Sequence, residues 1–184
     1  MATVTIHPQL QEMLADPARR DEGFRQLMKH FGERLYWHIR RLVVGRDDAE
    51  DVLQETFVRV FEHVDSYRGE GSLEAWLYRI ATNESLRHLR RQTRLFQPID
   101  ALGELLTEKL VAEVPLDADE AEVLLQKALL TLPTQQRIVF NLRYFDSLPY
   151  EEMSAITGKS IGTLKTSYHY AAEKIRNYIK QYGQ

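Results

Sequence analysis

The chain has 184 residues, of which 43% are hydrophobic, with 24 lysines and arginines, 27 aspartates and glutamates and no cysteine. That length and apolar content are enough to bury a core, and the lack of cysteine excludes disulfides and thiol nucleophiles. The sequence contains no run of 18 apolar residues and no signal-peptide pattern, so a soluble cytoplasmic protein is expected.

The charged residues fall into blocks. Residues 47–65 carry seven acidic residues and one basic residue, and residues 97–125 carry eight acidic residues and one basic residue. Between them, residues 66–96 carry six arginines against three glutamates. Because binding to nucleic acid depends on local basic surface, the overall net charge of −3 does not exclude it.

Apolar residues recur at spacings of three and four, and no alternating run of strand length occurs, so the fold is predicted to be all-α. Residues 20–44 are predicted to form one or two helices, with Met28 among the inward positions. A helix over about 48–66 follows. After the glycine-marked loop "YRGEGS", Ser72 is predicted to cap a long helix that ends near residue 91.

The periodicity weakens over residues 97–119, which contain two prolines and many carboxylates and are predicted to be an acidic linker. Its one short amphipathic piece comprises Leu102, Leu105, Leu106 and Leu110. Beyond it, further helices are predicted over about 120–131, 134–145, 149–157 and 160–176. The prediction is therefore two small helical domains, residues 1–96 and 120–184, joined by this linker.

The helix over 48–66 is acidic on one side. Its buried stripe is predicted to comprise Leu53, Phe57, Val60, Phe61 and Val64. The opposite side and its margin carry Asp48, Asp51, Gln54, Glu55 and Val58. Solvation is the ordinary explanation of an acidic helix face, but an apolar Val58 among carboxylates favours docking to a basic partner.

The next helix carries arginines toward its C-terminal end, at positions 79, 87, 90, 91 and 94. A helix C-terminus favours cations by itself, but four arginines between Arg87 and Arg94 exceed what a cap requires, which favours phosphate binding. Trp76 lies on the apolar stripe and is more typical of core than of a stacking platform. Asn83 lies off that stripe, where a carboxamide can reach a base edge, although an exposed asparagine is ordinarily just hydrated.

The segments "PYEEMSAITG" and "SIGTLKTSYHYAAEKIR" have the length and glycine placement of a helix-turn-helix. Ser160 is the predicted N-cap of the second helix. The outward face and its flanks include Thr163, Lys165, Thr166, His169 and Tyr170. One lysine and one histidine are few charges for a DNA-reading face, so the solvated side of a packing helix remains an alternative at this point.

Besides these three candidate binding segments, the sequence contains no pattern typical of an enzyme. The six histidines show no metal-ligand spacing, and neither a glycine-rich phosphate loop nor a nucleophile elbow occurs. We therefore expect no enzymatic activity, no catalytic residue, no metal, no cofactor and no small-molecule substrate.

In order and spacing, "DAEDVLQETFVRVF", "YRGEGSLEAWLYRIATNESLRHLRR" and "LPTQQRIVFNLRYFDSLPYEEMSAITGKSIGTLKTSYHYAAEKI" resemble the extracytoplasmic-function (ECF) group of the bacterial sigma-70 family. The resemblance covers about residues 20–95 and 121–178. It implies a sigma initiation factor whose region 2 and region 4 domains bind core RNA polymerase and promoter DNA. The expected polymerase contacts are the β′ coiled coil and the β flap, and an anti-sigma factor is a candidate further partner.

The resemblance also implies roles for individual residues. Contact with core polymerase falls on Asp48, Asp51, Gln54, Glu55 and Val58. Recognition and opening of the −10 element fall on Tyr67, Arg68, Asn83, Arg87, Arg90 and Arg91, and reading of the −35 element falls on Ser160, Thr163, Lys165, Thr166, His169 and Tyr170.

The sequence departs from the family pattern in the helix-turn-helix. Pro149 stands where a Ser or Thr cap is common, and Ser167 and Tyr170 stand where arginine is frequent. A face without those arginines lacks bidentate guanine contacts, so its −35 preference should differ from that of better-known relatives. From another class, an operator-binding regulator acting without polymerase is the alternative; a helical adaptor would leave the arginines and the helix-turn-helix without a role.

Overall fold

The computed structural model describes residues 7–67, 71–96, 101–115 and 118–183. These ranges form the helices α1 His7–Ala15, α2 Arg20–Val43, α3 Arg46–His63, α4 Leu73–Phe96, α5 Ala101–Glu113, α6 Glu120–Leu130, α7 Thr134–Tyr144, α8 Tyr150–Thr157 and α9 Ile161–Tyr182, with a 3-10 turn at Val64–Ser66. Since the described ranges contain no strand, the predicted all-α class is confirmed.

Helices α1 to α4 form the N-terminal unit, in which α2 packs against α1, α3 and α4. The stripe of α2 that includes Leu27, Phe31 and Leu35 is fully buried because these residues are four apart and lie on one face. The prediction for Met28 was wrong, since 38% of this residue is exposed. It lies about 100° around the helix from Leu27, at the edge of the stripe.

Helix α5 lies within the segment that was predicted to be a linker. Its Leu106 is fully buried, while Leu102 and Leu110 are half-buried against the same core. Glu113 at its end bonds Arg40 of α2 at 2.7 Å and accepts hydrogen bonds from the backbone nitrogen of Arg46 at 3.0 and 3.1 Å. Helix α5 therefore packs onto the N-terminal unit through these contacts.

Helices α6 to α9 form the C-terminal unit. The caps of its helix-turn-helix lie where the sequence predicted them: Gly158 ends α8 in the left-handed conformation, with φ of 70°, and the Ser160 hydroxyl accepts a hydrogen bond from the Thr163 nitrogen at 3.2 Å. Ser154 Oγ also donates to the carbonyl of Lys159 at 2.7 Å, which closes the turn. Helix α8 begins one residue after Pro149, which is its N-cap.

The two units share a core. Helix α8 lies against α4, and α7 lies against α2. Met153 and Ile156 of α8 and Leu164 of α9 join the apolar cluster of the N-terminal unit. The sequence predicted two domains but not their packing against each other, because this packing depends on contacts between residues far apart in the chain.

Among the described residues, no helix is both long and apolar enough to cross a membrane. The same residues contain no group of histidine, aspartate or glutamate side chains placed to hold a metal ion.

We expect Gly158→Ala to destabilise the protein by about 1 kcal/mol, because a side chain raises the energy of the left-handed backbone. The cost should come from the backbone alone, since a Cβ at Gly158 would meet no atom within 4 Å. Denaturant unfolding would measure it. Gly158→Asn is the matched variant and should lose less, because asparagine tolerates this conformation; an equal or larger loss would contradict this explanation.

Candidate functional site

The acidic face of α3 consists of Asp51, Gln54, Glu55 and Val58, and all four are exposed. Val52, Thr56 and Val60 are buried on the other side of the helix and fix this orientation. Val58 is 56% exposed, and Phe61, predicted to be buried, is 51% exposed. The Phe61 ring meets Phe24 edge-on at 5.4 Å, so the acidic face is joined by an apolar patch that the sequence pattern did not predict.

Asp48 is separate from that face, although the sequence grouped it there. It is half-buried, and its carboxylate bonds Lys109 of α5 at 2.5 Å and His88 of α4 at 3.1 Å. Burial alone would raise the pKa of Asp48, but the hydrogen bond and charge of Lys109, helped by His88 and Gln92, lower it below its ordinary value. Asp48 therefore ties α3, α4 and α5 together in this form of the protein.

The basic face of α4 exposes Asn83, Arg87, Arg90 and Arg91. Arg87 bonds the buried Glu84 at 3.0 Å, and Arg91 lies 3.6 Å from Glu55 of the acidic face. The second pair is mostly solvated on both sides and contributes little to stability. Arg90 has no ion pair within the described residues, which makes its guanidinium the most available of the three.

Tyr67 precedes α4 and lies within the described residues, whereas Arg68 lies outside them. The Tyr67 hydroxyl accepts a hydrogen bond from Gln11 of α1 at 2.9 Å and donates one to the carbonyl of Gly71 at 3.1 Å. The Tyr67 ring packs against Trp76 with centroids 5.1 Å apart. Gln11 was missed from sequence because 56 residues separate it from its partner.

The outward face of α9 exposes Lys165, Thr166, His169 and Tyr170, with Tyr170 52% exposed. Leu164, Ala171 and Ile175 are buried on the opposite side. At the start of the helix, Ser160 and Thr163 are also exposed, and their hydroxyls bond each other at 2.8 Å. The structure thus brings the six predicted residues onto one end and one face of α9.

The α9 face carries little charge. Lys165 Nζ lies 5.6 Å from the centre of the Tyr150 ring, where a cation–π contact positions it. The Thr166 hydroxyl donates to the carbonyl of Gly162 at 3.0 Å, so it offers lone pairs rather than a free donor. The face therefore offers one cation, two aromatic rings and hydroxyl acceptors.

The helices that carry these faces match known families. The sigma-70 region 2 family matches residues 27–95, and the sigma-70 region 4 family matches residues 122–175. The first range contains the acidic face and the basic face, and the second contains the helix-turn-helix. The protein is thus a helical two-region factor of the sigma-70 class.

The relatives narrow the class to a group. The chain is 35% identical over 168 residues to the ECF RNA polymerase sigma factor SigE of Mycolicibacterium smegmatis, covering 86% of this chain and 62% of that protein. It is 32% identical over 146 residues to the ECF RNA polymerase sigma-E factor of Escherichia coli K12, covering 74% of this chain and 76% of that protein. The chain belongs to the ECF group of the sigma-70 family.

Two solved structures share the fold. The sigma factor RpoE in complex with the anti-sigma factor NepR from Bartonella quintana matches with a TM-score of 0.68 and 24% identity, covering 85% of this chain and 96% of that chain. CnrH in complex with the cytosolic domain of CnrY matches with a TM-score of 0.69 and 22% identity, covering 95% and 97%.

We expect Asp48→Asn to loosen α5 at neutral pH, because it removes the charge that Lys109 binds. In the unchanged protein the ion pair stabilises the docked helix above the ordinary aspartate pKa of about 3.9, and this contribution is lost as the pH falls through the lower folded-state pKa. Hydrogen exchange of the α5 amides should become about two- to fivefold faster, the size expected of a partly exposed pair.

Asp47→Asn is the control, because Asp47 lies in the same first turn of α3 and is exposed. It should leave exchange in α5 unchanged. Equal protection of α5 in the Asp48 variant and in the unchanged chain would show that this pair does not hold the helix.

Proposed function

We propose that the protein is a transcription initiation factor that binds core RNA polymerase and directs it to specific promoters. The observation that carries the proposal is the arrangement of three exposed faces on the two family-matched regions. An acidic and apolar face lies on α3, a basic face with Asn83 lies on α4, and the helix-turn-helix presents the face of α9.

The acidic face suits a basic protein partner, for which we propose the β′ coiled coil of the polymerase. Asp51 and Glu55 supply negative charge that steers association and fixes the register of docking. Val58 and Phe61 supply exposed apolar area between and beside them. Asp48 contributes only where α5 has left its place, since its carboxylate is bonded to Lys109.

The basic face and the loop at Tyr67 suit the −10 element. Arg90 and Arg91, with Arg87 once it leaves Glu84, would neutralise backbone phosphates. Asn83 would read the edge of a base that has left the duplex, and the loop beginning at Tyr67 and Arg68 would receive such a base. Capture of an unstacked base offsets the cost of opening the duplex without covalent chemistry.

The face of α9 suits the major groove at the −35 element. Its N-terminal end, with Ser160 and Thr163, lies where a helix start approaches phosphate. Lys165, Thr166, His169 and Tyr170 would contact base edges. Since this face carries no arginine, affinity would come chiefly from α4 and the polymerase, and α9 would discriminate among sequences.

The remaining parts of the proposal follow from this role. The protein acts where RNA polymerase acts, in the cytoplasm, and carries out no covalent reaction. The β flap is a proposed second polymerase contact through region 4. An anti-sigma factor is a proposed partner, because both structural neighbours are complexes and in one of them the sigma factor RpoE is bound to the anti-sigma factor NepR.

Run-off transcription with purified core polymerase and a library of promoter-like templates tests this role. We expect specific start sites that depend on the protein. Tight binding to duplex DNA in the absence of polymerase would favour an operator-binding regulator instead. If the chain neither associates with core polymerase nor starts transcription at any template, the proposed function is refuted.

We expect the double variant Asp51→Arg with Glu55→Arg to weaken binding to core polymerase at least about tenfold, because like charges would then face each other across the interface. The affinity can be measured by titration of labelled protein with core enzyme. The matched control is Asp21→Arg with Glu33→Arg, which makes the same charge change on exposed positions of α2. Equal loss in both variants would remove the role given to the acidic face.

A further inference from the structure

A single carboxylate of the C-terminal unit is inserted into the N-terminal unit. Asp146 lies in the turn between α7 and α8, and its side chain is only 5% exposed. Its Oδ2 lies 3.0 Å from Nδ1 of His38, and its Oδ1 accepts a hydrogen bond from Arg41 at 3.2 Å and a longer one from Tyr78 at 3.4 Å. All three of these partners belong to α2 or α4.

Side chains of the N-terminal unit hold the partners of Asp146 in position. His38 is fully buried, and its Nε2 lies 2.9 Å from Thr82 Oγ1, which fixes the ring with Nδ1 toward Asp146. The Arg41 guanidinium lies 4.3 Å from the centre of the Phe145 ring, next to Asp146 in the chain. Buried side chains on two helices are thus arranged around one acid from the other unit.

The backbone beside the acid is strained. Ser147, directly after Asp146, has φ of 55°, a left-handed conformation that few residues other than glycine adopt at low cost. The turn therefore holds an unfavourable conformation at the point where it delivers the carboxylate into the pocket.

One buried polar group at the contact between the units, the Arg137 side chain, is poorly satisfied. Arg137 of α7 is 2% exposed and donates a long hydrogen bond of 3.4 Å to the carbonyl of Leu42. Within the described residues, its Nε has no hydrogen-bond partner. Burial lowers the pKa of Arg137 to about 10, so a cation is buried at neutral pH.

These contacts oppose each other. A buried carboxylate with three partners favours the closed arrangement, because removing any member leaves the others desolvated and unpaired. The buried Arg137 favours separation, because water would satisfy its guanidinium once the units part.

The proposed function requires an open state. The −35 and −10 elements are named for positions about 25 base pairs apart, which is about 85 Å of duplex at 3.4 Å per base pair. A compact chain of this length has a radius of gyration of about 16 Å, and so a diameter of about 40 Å. The faces of α4 and α9 cannot reach both elements while the two units are packed together.

We propose that Asp146 is a latch that holds the free protein closed, and that its release from His38, Arg41 and Tyr78 is the step that makes the protein competent for a promoter. The latch itself is a property of the free chain. Only its meaning for promoter binding rests on the proposed function. Polymerase opens the protein by binding the separated units better than the closed pair.

Distance measurement between two spin labels tests the latch in the full chain. Because the chain has no cysteine, Lys29→Cys on α2 and Asn177→Cys on α9 allow specific labelling at two exposed positions. The labelled protein that retains Asp146 and Arg41 should give one narrow distribution of distances between the two labels. Asp146→Ala and, from the other unit, Arg41→Gln should each shift it to longer and broader distances.

Glu151→Ala is the matched control, because it removes an exposed carboxylate of the same unit five residues away. It should leave the distribution narrow. The double variant Asp146→Ala with Arg41→Gln should open the protein little further than the stronger single variant, as expected for residues that share one interaction. A broad distribution in the unchanged chain, or a narrow one in both single variants, would overturn the proposal.

Two further measurements separate the possible failures. Circular dichroism should show unchanged helix content in each variant, so that opening is distinguished from unfolding; loss of helix together with the longer distances in both single variants would overturn the latch. Binding to core polymerase should become about tenfold tighter in Asp146→Ala, because the closed state no longer competes. An opened variant with unchanged polymerase affinity would overturn the role in promoter competence and leave run-off transcription as the test of the function.

Discussion

The burial of one stripe along α2 is the constraint on which the rest of the structure depends. Leu27, Phe31, Leu35 and Ile39 are completely removed from solvent by α1, α3 and α4. The same helix then supplies the charged residues at its C-terminal half that hold α5 and the C-terminal unit. Because α2 is both the centre of the core and the anchor of its neighbours, the acidic face of α3 and the basic face of α4 keep fixed orientations only while its stripe is covered.

The acidic and basic faces lie on adjacent helices of one unit, and a weak ion pair between Arg91 and Glu55 joins their edges. This placement puts two surfaces of opposite charge side by side on one small unit. The helix-turn-helix lies in the other unit, and the α9 face includes a single cation, Lys165, among Thr166, His169 and Tyr170. Under the proposed function, α4 and the polymerase would supply the strength of binding, and α9 would supply the choice of sequence.

Local chemistry made much of the fold predictable. The Ser72 and Ser160 caps, the Gly158 turn and the all-α class follow from residues that act on their own neighbours in the chain. The exposure of Phe61, the engagement of Asp48 by Lys109 and the hydrogen bond from Gln11 to Tyr67 were not predictable in this way. Each depends on a partner tens of residues away, and periodicity gives only the side of a helix, not what covers it. The functional roles of the predicted site residues stay predictions.

The way α3 begins has a consequence of its own. Its N-cap, Gly45, has no side chain to bond the first free amides, and Glu113 supplies that bond from the end of α5. The first turn of α3 is therefore completed by a group that belongs to another part of the chain. When α5 moves away, this turn loses its cap and should fray. Whether the first turn of α3 is ordered or frayed would then depend on whether α5 is in place. The same helix carries the acidic face, so a movement of α5 would be felt at the start of that helix.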